Sequence, residues 1–422
     1  MNSIANKTPA QRIGVDFEIR SHYHFELMRR LEPMLSSVPA CILALSLCSC
    51  GTDGGAGVPP ETAAAIANYS ALVHQNYIDT KATAVALAGT IDAFVVAPSA
   101  AGLDAAKAAW LTARESYLLT EAFRFYDGPI DEPRAGPESL MNSWPMDENF
   151  IDYVQATPGS GAINNPQFEI SAASLTALNE MGGEKNIATG YHAIEFLLWG
   201  QDTNPAGPGA RPFTDFVVGE GGTAMNQGRR GMYLKTIAAL LVANLDSVLL
   251  SWQPGVVSNY RGQLAAATPK EGLRRVLQGL IVLSGFETGG ERIQTALDSG
   301  DQEDEHSCFS DNTHRDFVQD VRGIQNVYLG KYQPLAGALI YGTSVKDVVA
   351  KHDAALATGL DLEIANSLAL AKALVPPFDQ EILAGNVAGR ARVQALATAL
   401  RTQEKAMAKV FSGFGLQPEL PK

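Results

Sequence analysis
Cysteine is scarce in this chain. There are four in 422 residues, and three of them fall together as Cys41, Cys48 and Cys50. A disulfide-stapled scaffold is thereby excluded. Basic charge is also short, with 32 Lys and Arg against 45 Asp and Glu and a formal charge of −13. A nucleic-acid partner is not expected, because binding phosphates needs clustered basic surface. Seven histidines occur, and five of them (His74, His192, His306, His314 and His352) follow the cysteine cluster. The Gly-x-Ser-x-Gly elbow, the P-loop, the dinucleotide fingerprint and the His-Glu-x-x-His zinc motif are all missing. What is present is core material: 46% of residues are hydrophobic and 18% charged, which is not the composition of a disordered chain.

The first fifty residues read as an address. Met28-Arg29-Arg30 is a basic lead, and Val38–Leu47 is an apolar run too short to span a bilayer. Residues 1–27 precede that lead, so Met28 is a candidate true start. Leu47-Cys48-Ser49-Cys50-Gly51 resembles a lipobox with Cys50 as the lipidated residue. Gly51, rather than Asp, after that cysteine suits an outer-membrane lipoprotein facing the periplasm. Residues 51–60 (GTDGGAGVPP) read as a flexible tether.

From residue 61 onward the chain reads as all-α. Helical apolar spacing recurs over Glu61–Ala97, Gly102–Phe125, Gly231–Ser251, Lys270–Ser299, Ser344–Leu374 and Asp379–Phe411. Turn signals at Ala97-Pro98, Gln253-Pro254-Gly255 and Val375-Pro376-Pro377 separate these stretches. Gly190…Leu197…Gly200-Gln201-Asp202 finds an echo one hundred residues on, in Gly290…Leu297…Gly300-Asp301-Gln302. The units they close each open on a Tyr-led helix, at Tyr77 and Tyr233. The expectation is two related antiparallel helical bundles, residues 61–228 and 229–422, with a site at their interface.

Three segments carry chemistry. In Gly190–Gly200 (GYHAIEFLLWG), His192 and Glu195 stand three apart on one helical face. A carboxylate in so apolar a stretch needs a partner. An imidazole with a carboxylate suits an iron or zinc centre, although the pattern alone is weak. The second segment, Asp298–Asp316, packs seven carboxylates and two histidines into nineteen residues. Asp304, His306, Asp311 and His314 are its candidate metal ligands, and a solvated acidic helix end is the plainer reading. Cys308 lies among those acids, which would blunt it as a nucleophile. The third is Thr120–Asp131, where Glu121 either pairs with Arg124 or lends an inward carboxylate to the same centre.

Together Phe123–Asp131 (FRFYDGPID), Gly190–Asp202 and Ser299–His314 resemble the imelysin family. That family includes the insulin-cleaving membrane protease and iron-regulated bacterial lipoproteins. The resemblance runs from about Tyr69 to the end of the chain, and the family's GxHxxE signature falls on Gly190, His192 and Glu195. It implies two helical bundles with a site between them, a lipoprotein facing the periplasm, and a role in iron acquisition. The family is also classed among metallopeptidases. Three readings follow: a metal-binding protein of iron uptake, taking iron or an iron chelate and working with an envelope partner; a zinc endopeptidase with Glu195 as catalytic base; or a non-metallic docking module.

Overall fold
The computed structural model describes residues 57–204 and 206–421. The expected signal segment, Met28 and the candidate lipobox with Cys50 lie outside the described residues. Contacts gather Gly54–Lys422 into one compact unit. Its helices are α1 (Thr62–Val96), α2 (Ala100–Leu118), α3 (Ala172–Leu178), α4 (Gly190–Trp199), α5 (Gln227–Ser251), α6 (Tyr260–Ala266) and α7 (Pro269–Ile281). They continue with α8 (Thr295–Ser299), α9 (Thr313–Leu329), α10 (Val345–His352), α11 (Ala354–Lys372), α12 (Phe378–Ile382) and α13 (Val387–Gly413). The described strands are a two-residue pair, β1 (Lys331–Tyr332) and β2 (Ile340–Tyr341), so the protein is mostly helical, as the periodicity predicts.

The ends follow local chemistry. Pro98 closes the α1–α2 turn, and the Ser99 hydroxyl caps α2 by accepting from the Gly102 amide at 3.1 Å. Thr268 caps α7 in the same way, with Pro269 in the first turn. Two predicted long helices are broken. Asp353 caps α11 and so divides 344–374, while residues 383–386 divide 379–411. The 102–125 stretch tightens to a 3₁₀ turn over Leu119–Phe123.

α1 packs on α2 and α5, and α4 lies against α2 and α5. α13 packs on α7 and α11, and α9 bridges α11, α2 and the 3₁₀ turn. The main core draws on both expected halves: Trp110, Tyr117 and Phe196 join Leu277, Phe309 and Phe411 in one buried cluster. Each such side chain contributes roughly 1.5–3 kcal/mol by burial. A second cluster, with Ile293, Phe317, Phe378 and Val393, sits among α8, α9, α12 and α13.

Between α7 and α8 the helix runs as a π-helix over Val282–Gln294. A side chain at Gly285 would meet the Glu404 carboxylate on α13, so glycine there allows the two helices to close. Long π stretches are rare and accompany functional sites. This one carries Thr288 and Arg292 inward, both bonded to Asp320 of α9 at 3.1 Å.

Candidate metal centre
α4 starts where it does because of Gly190. Its φ is +90°, and a Cβ there would lie 2.5 Å from the Met141 carbonyl oxygen. The next amide, of Tyr191, donates to that same oxygen at 2.8 Å. This pins the first turn, and all ten residues of α4 are buried. His192 Nδ1 then lies 3.0 Å from Glu195 Oε2. The other oxygen, Glu195 Oε1, accepts from the Ser310 amide at 2.9 Å and its hydroxyl at 2.6 Å. The Trp144 ring stands 5.0 Å from the His192 ring. His192 Nε2 is buried and has no hydrogen-bond partner.

Facing it is His306, whose ring centroid lies 4.8 Å away at 70° to the first. His306 Nδ1 is 2.7 Å from Asp316 Oδ2. Asp316 also accepts from the Ser307 hydroxyl at 2.7 Å, from Arg114 Nη2 at 3.1 Å and from Asn312 Nδ2 at 3.2 Å. The Arg114–Asp316 pair is fully buried, and Arg114 also donates to Asn142 and lies over the Tyr191 ring.

These contacts set the protonation. Burial alone would raise the Asp316 carboxyl, but Arg114 and His306 outweigh it and hold it well below the usual range. An ionised Asp316 only accepts, so His306 Nδ1 carries the proton and Nε2 is left as a lone pair. Burial, then Arg292, lowers the His306 imidazole to about 4. Burial and the neighbouring His306 also hold His192 neutral, well below its ordinary value. Burial lifts Glu195 to about 8, against the Ser310 hydroxyl and Arg114, which pull it down. Neutral Glu195 donates to His192 Nδ1 and leaves the proton on Nε2; ionised Glu195 accepts from Nδ1 and frees the Nε2 lone pair.

A cavity of about 270 Å³ reaches His306. Its wall includes Arg124, Arg292, Glu138, Glu287, Glu291 and Asp304. Four carboxylates against two guanidiniums give it a cation-attracting bias.

Each of the other expected ligands has surroundings of its own. Glu121 is gripped by Arg124 at 2.8 Å and Arg292 at 2.6 Å, which together overcome burial and lower its carboxyl; the plainer ion-pair reading holds for it. Asp304 is on the cavity wall. Asp311 is half-buried, and burial, then the charges of Asp202 and Asp379, raise its carboxyl to about 7. His314 is half-buried with Nδ1 unpartnered. Among the described residues, no three His, Cys, Asp or Glu side chains are grouped to hold a metal ion. Cys308 is buried, and burial ahead of Glu303 and Glu195 pushes its thiol well up. Arg114, Trp144, Ser310 and Asp316 are parts of the site that the motif reading passes over. The signal for Arg114 is a lone charge flanked by Trp110 and Tyr117 on a buried helical face.

Comparison with known proteins agrees with this architecture. The imelysin (peptidase M75) family pattern matches residues 73–407. Iron-regulated protein A of Synechococcus elongatus is 27% identical over 260 residues, 62% of this chain and 62% of that relative's length. The crystal structure of a protein described as an iron-regulated protein A precursor, from Parabacteroides distasonis, superposes with a TM-score of 0.65 at 16% identity. It covers 86% of this chain and 97% of that one. An imelysin-like protein from Psychrobacter arcticus gives 0.60 at 13%, over 86% and 100%. At such identities the two structures speak for the fold alone. With its family pattern spanning most of the sequence, the chain belongs to the imelysin family.

Proposed function
We propose that the protein binds iron between His192 and His306 and hands it on in iron uptake. The observation that carries this reading is the orphaned Nε2 of His192, buried without a partner in a ring that packs edge to face on the His306 imidazole. A buried polar nitrogen without a partner is costly unless a ligand completes it. Each ring is braced through Nδ1 by a carboxylate, the arrangement that orients metal-binding histidines. Nitrogen donors backed by carboxylates suit iron, with zinc the alternative metal. Two protein ligands leave positions for water or a small chelator, which suits a carrier that must also release its cargo. The acidic cavity wall is the way in. The similarity to an iron-regulated protein supports iron over other metals.

The same reading places the chain as two related bundles, residues 61–228 and 229–422, meeting at α4 and the 306–316 segment. It is held to the periplasmic face of the outer membrane by lipid on Cys50 and delivers iron to an envelope partner. An endopeptidase would need a carboxylate free to activate water. Glu195 has neither oxygen free, since Ser310 takes one and His192 the other.

Anaerobic calorimetric titration of stripped protein with ferrous iron tests the proposal. One equivalent should bind, with affinity falling at least about 10-fold in His192→Ala and His306→Ala. Unchanged affinity in both variants overturns it.

A further inference from the structure
The hairpin of β1 and β2 carries apolar side chains that nothing in the fold covers. Residues 332–345 (YQPLAGALIYGTSV) contain no acidic, basic or histidine side chain, in a chain whose formal charge is −13. Leu335, Leu339 and Tyr341 are 63%, 45% and 74% exposed. Ala336, Gly337 and Ala338 between them are exposed as well. Clustered exposed apolar side chains, unlike single ones, mark a contact surface.

The hairpin is braced from behind. The Tyr332 hydroxyl donates to Asp79 Oδ2 on α1 at 2.6 Å, and the Leu335 amide donates to the same oxygen at 3.0 Å. At its base, Asn68 Nδ2 donates to the carbonyls of Gly330 at 3.0 Å and Thr343 at 3.2 Å. Gln333 Nε2 donates to the carbonyls of Pro334 at 3.2 Å and Gly337 at 3.5 Å, so the tip meets part of its own backbone demand, as contact with lipid requires.

The register sorts the two faces. Tyr332 pairs with Ile340 and Lys331 with Tyr341, and directly opposed residues share a face. Tyr332 is buried against α1, so Lys331 and Tyr341 take the outer face, where both are exposed. Tyrosine and lysine beside an apolar tip are interfacial anchors, with the ring at headgroup level and the ammonium reaching outward. A protein partner would call for a polar rim around the apolar centre, which this run does not offer.

The hairpin also lies near the tethered end of α1. Asn68 stands six residues and Asp79 seventeen residues beyond Thr62, about 9 and 26 Å along the helix axis. The ten residues of the 51–60 tether span at most about 33–36 Å. Lipid on Cys50 therefore keeps the hairpin within reach of the same bilayer.

We propose that the 333–341 hairpin is a lipid-contact element that seats Leu335, Leu339 and Tyr341 in the headgroup boundary of a zwitterionic phospholipid surface. Anionic lipid would repel the acidic remainder of the chain. The contact fixes which side of the protein lies on the membrane and adds a second signal to the anchor. Its reach rests on the lipid proposed at Cys50; its own affinity for a bilayer does not.

Sedimentation with sucrose-loaded phosphatidylcholine vesicles tests this, using the chain from Gly51 onward, which holds the whole compact unit and no lipid. The parent should be half-bound near about 10⁻³ M lipid, more weakly than one acyl chain achieves. Leu335→Ser with Leu339→Ser should need at least about 10-fold more lipid, at an unchanged melting temperature because both side chains are exposed. Val257→Ser, at an exposed apolar residue between α5 and α6, should bind as the parent does. So should His192→Ala, which separates this result from the fate of the iron site. A parent left in the supernatant at about 10⁻² M lipid overturns the proposal. So does binding kept by the double variant, or lost equally in Val257→Ser. A dimer abolished by the same two substitutions would also overturn it, by showing that a second copy covers the hairpin.

Discussion

His192 and His306 face each other edge to face at 4.8 Å, and each is held from behind by its own carboxylate, Glu195 at 3.0 Å and Asp316 at 2.7 Å. The two pairs look alike but differ in charge. Arg114 keeps Asp316 ionised, whereas burial, with a neutral imidazole rather than a guanidinium bonded to it, lifts Glu195 to about 8. One imidazole is therefore already in the metal-binding tautomer, and the other reaches it only when Glu195 gives up its proton.

Iron affinity should depend on pH through Glu195. Below about pH 8 the affinity should rise roughly tenfold per unit, with about one proton released per ion bound. Titrations in buffers of different ionisation enthalpy measure that proton. In Glu195→Gln the slope should vanish; a parent slope retained in this variant would speak against the tautomer account.

The same group sets a stability trend of definite sign. A carboxyl raised from 4.5 unfolded to about 8 folded holds its proton in the folded state over that window. Its contribution is full at low pH and is lost as pH rises through the folded value. Between pH 7.5 and 8.5, above the ordinary range of histidine, this group should lower metal-free stability by about 0.7 kcal/mol. Urea unfolding measures this, and Glu195→Gln should flatten the decline. A flat or rising parent curve contradicts the assignment.

Asp316→Asn should be severe. It leaves the Arg114 guanidinium buried without its counter-charge, and breaking a buried pair costs about 3–5 kcal/mol. Adding Arg114→Met should recover part of that loss, because the orphaned charge goes with it. Equal instability of the single and double variants would mean that the pair is not what Asp316 supports.

Gly190→Ala should unfold more readily than the parent by at least about 2 kcal/mol, through backbone strain at positive φ and the clash with the Met141 carbonyl. The displaced first turn carries His192, so iron affinity should fall along with stability. A stable Gly190→Ala protein with full affinity would show that the turn tolerates a side chain.

The parts of this architecture that were legible in the sequence are those with local causes. Pro98, Pro254 and Pro376 mark breaks that the structure keeps, and the i,i+3 spacing of His192 and Glu195 follows from the helical repeat. α9 stayed hidden because its inward face bears Asp316 and Asp320, which read as surface acids until Arg114 and Arg292 are seen to hold them. Those arginines lie 202 and 28 residues away in the chain, and no pattern in one sequence pairs them. The echo between 190–202 and 290–302 is half kept: Gly200 and Gly300 both end helices with positive φ, but Gly190 opens a helix while Gly290 lies inside the π-helical stretch. A 3.6-residue periodicity does not reveal a π-helix, and so the inward turn of Arg292, which pairs with Glu121, was not foreseeable.

The most direct measurement is iron K-edge X-ray absorption on protein loaded with one equivalent of ferrous iron. The account predicts scattering from two imidazoles, reduced to one in His192→Ala and likewise in His306→Ala. An oxygen-only shell, or a spectrum that neither substitution alters, would contradict it.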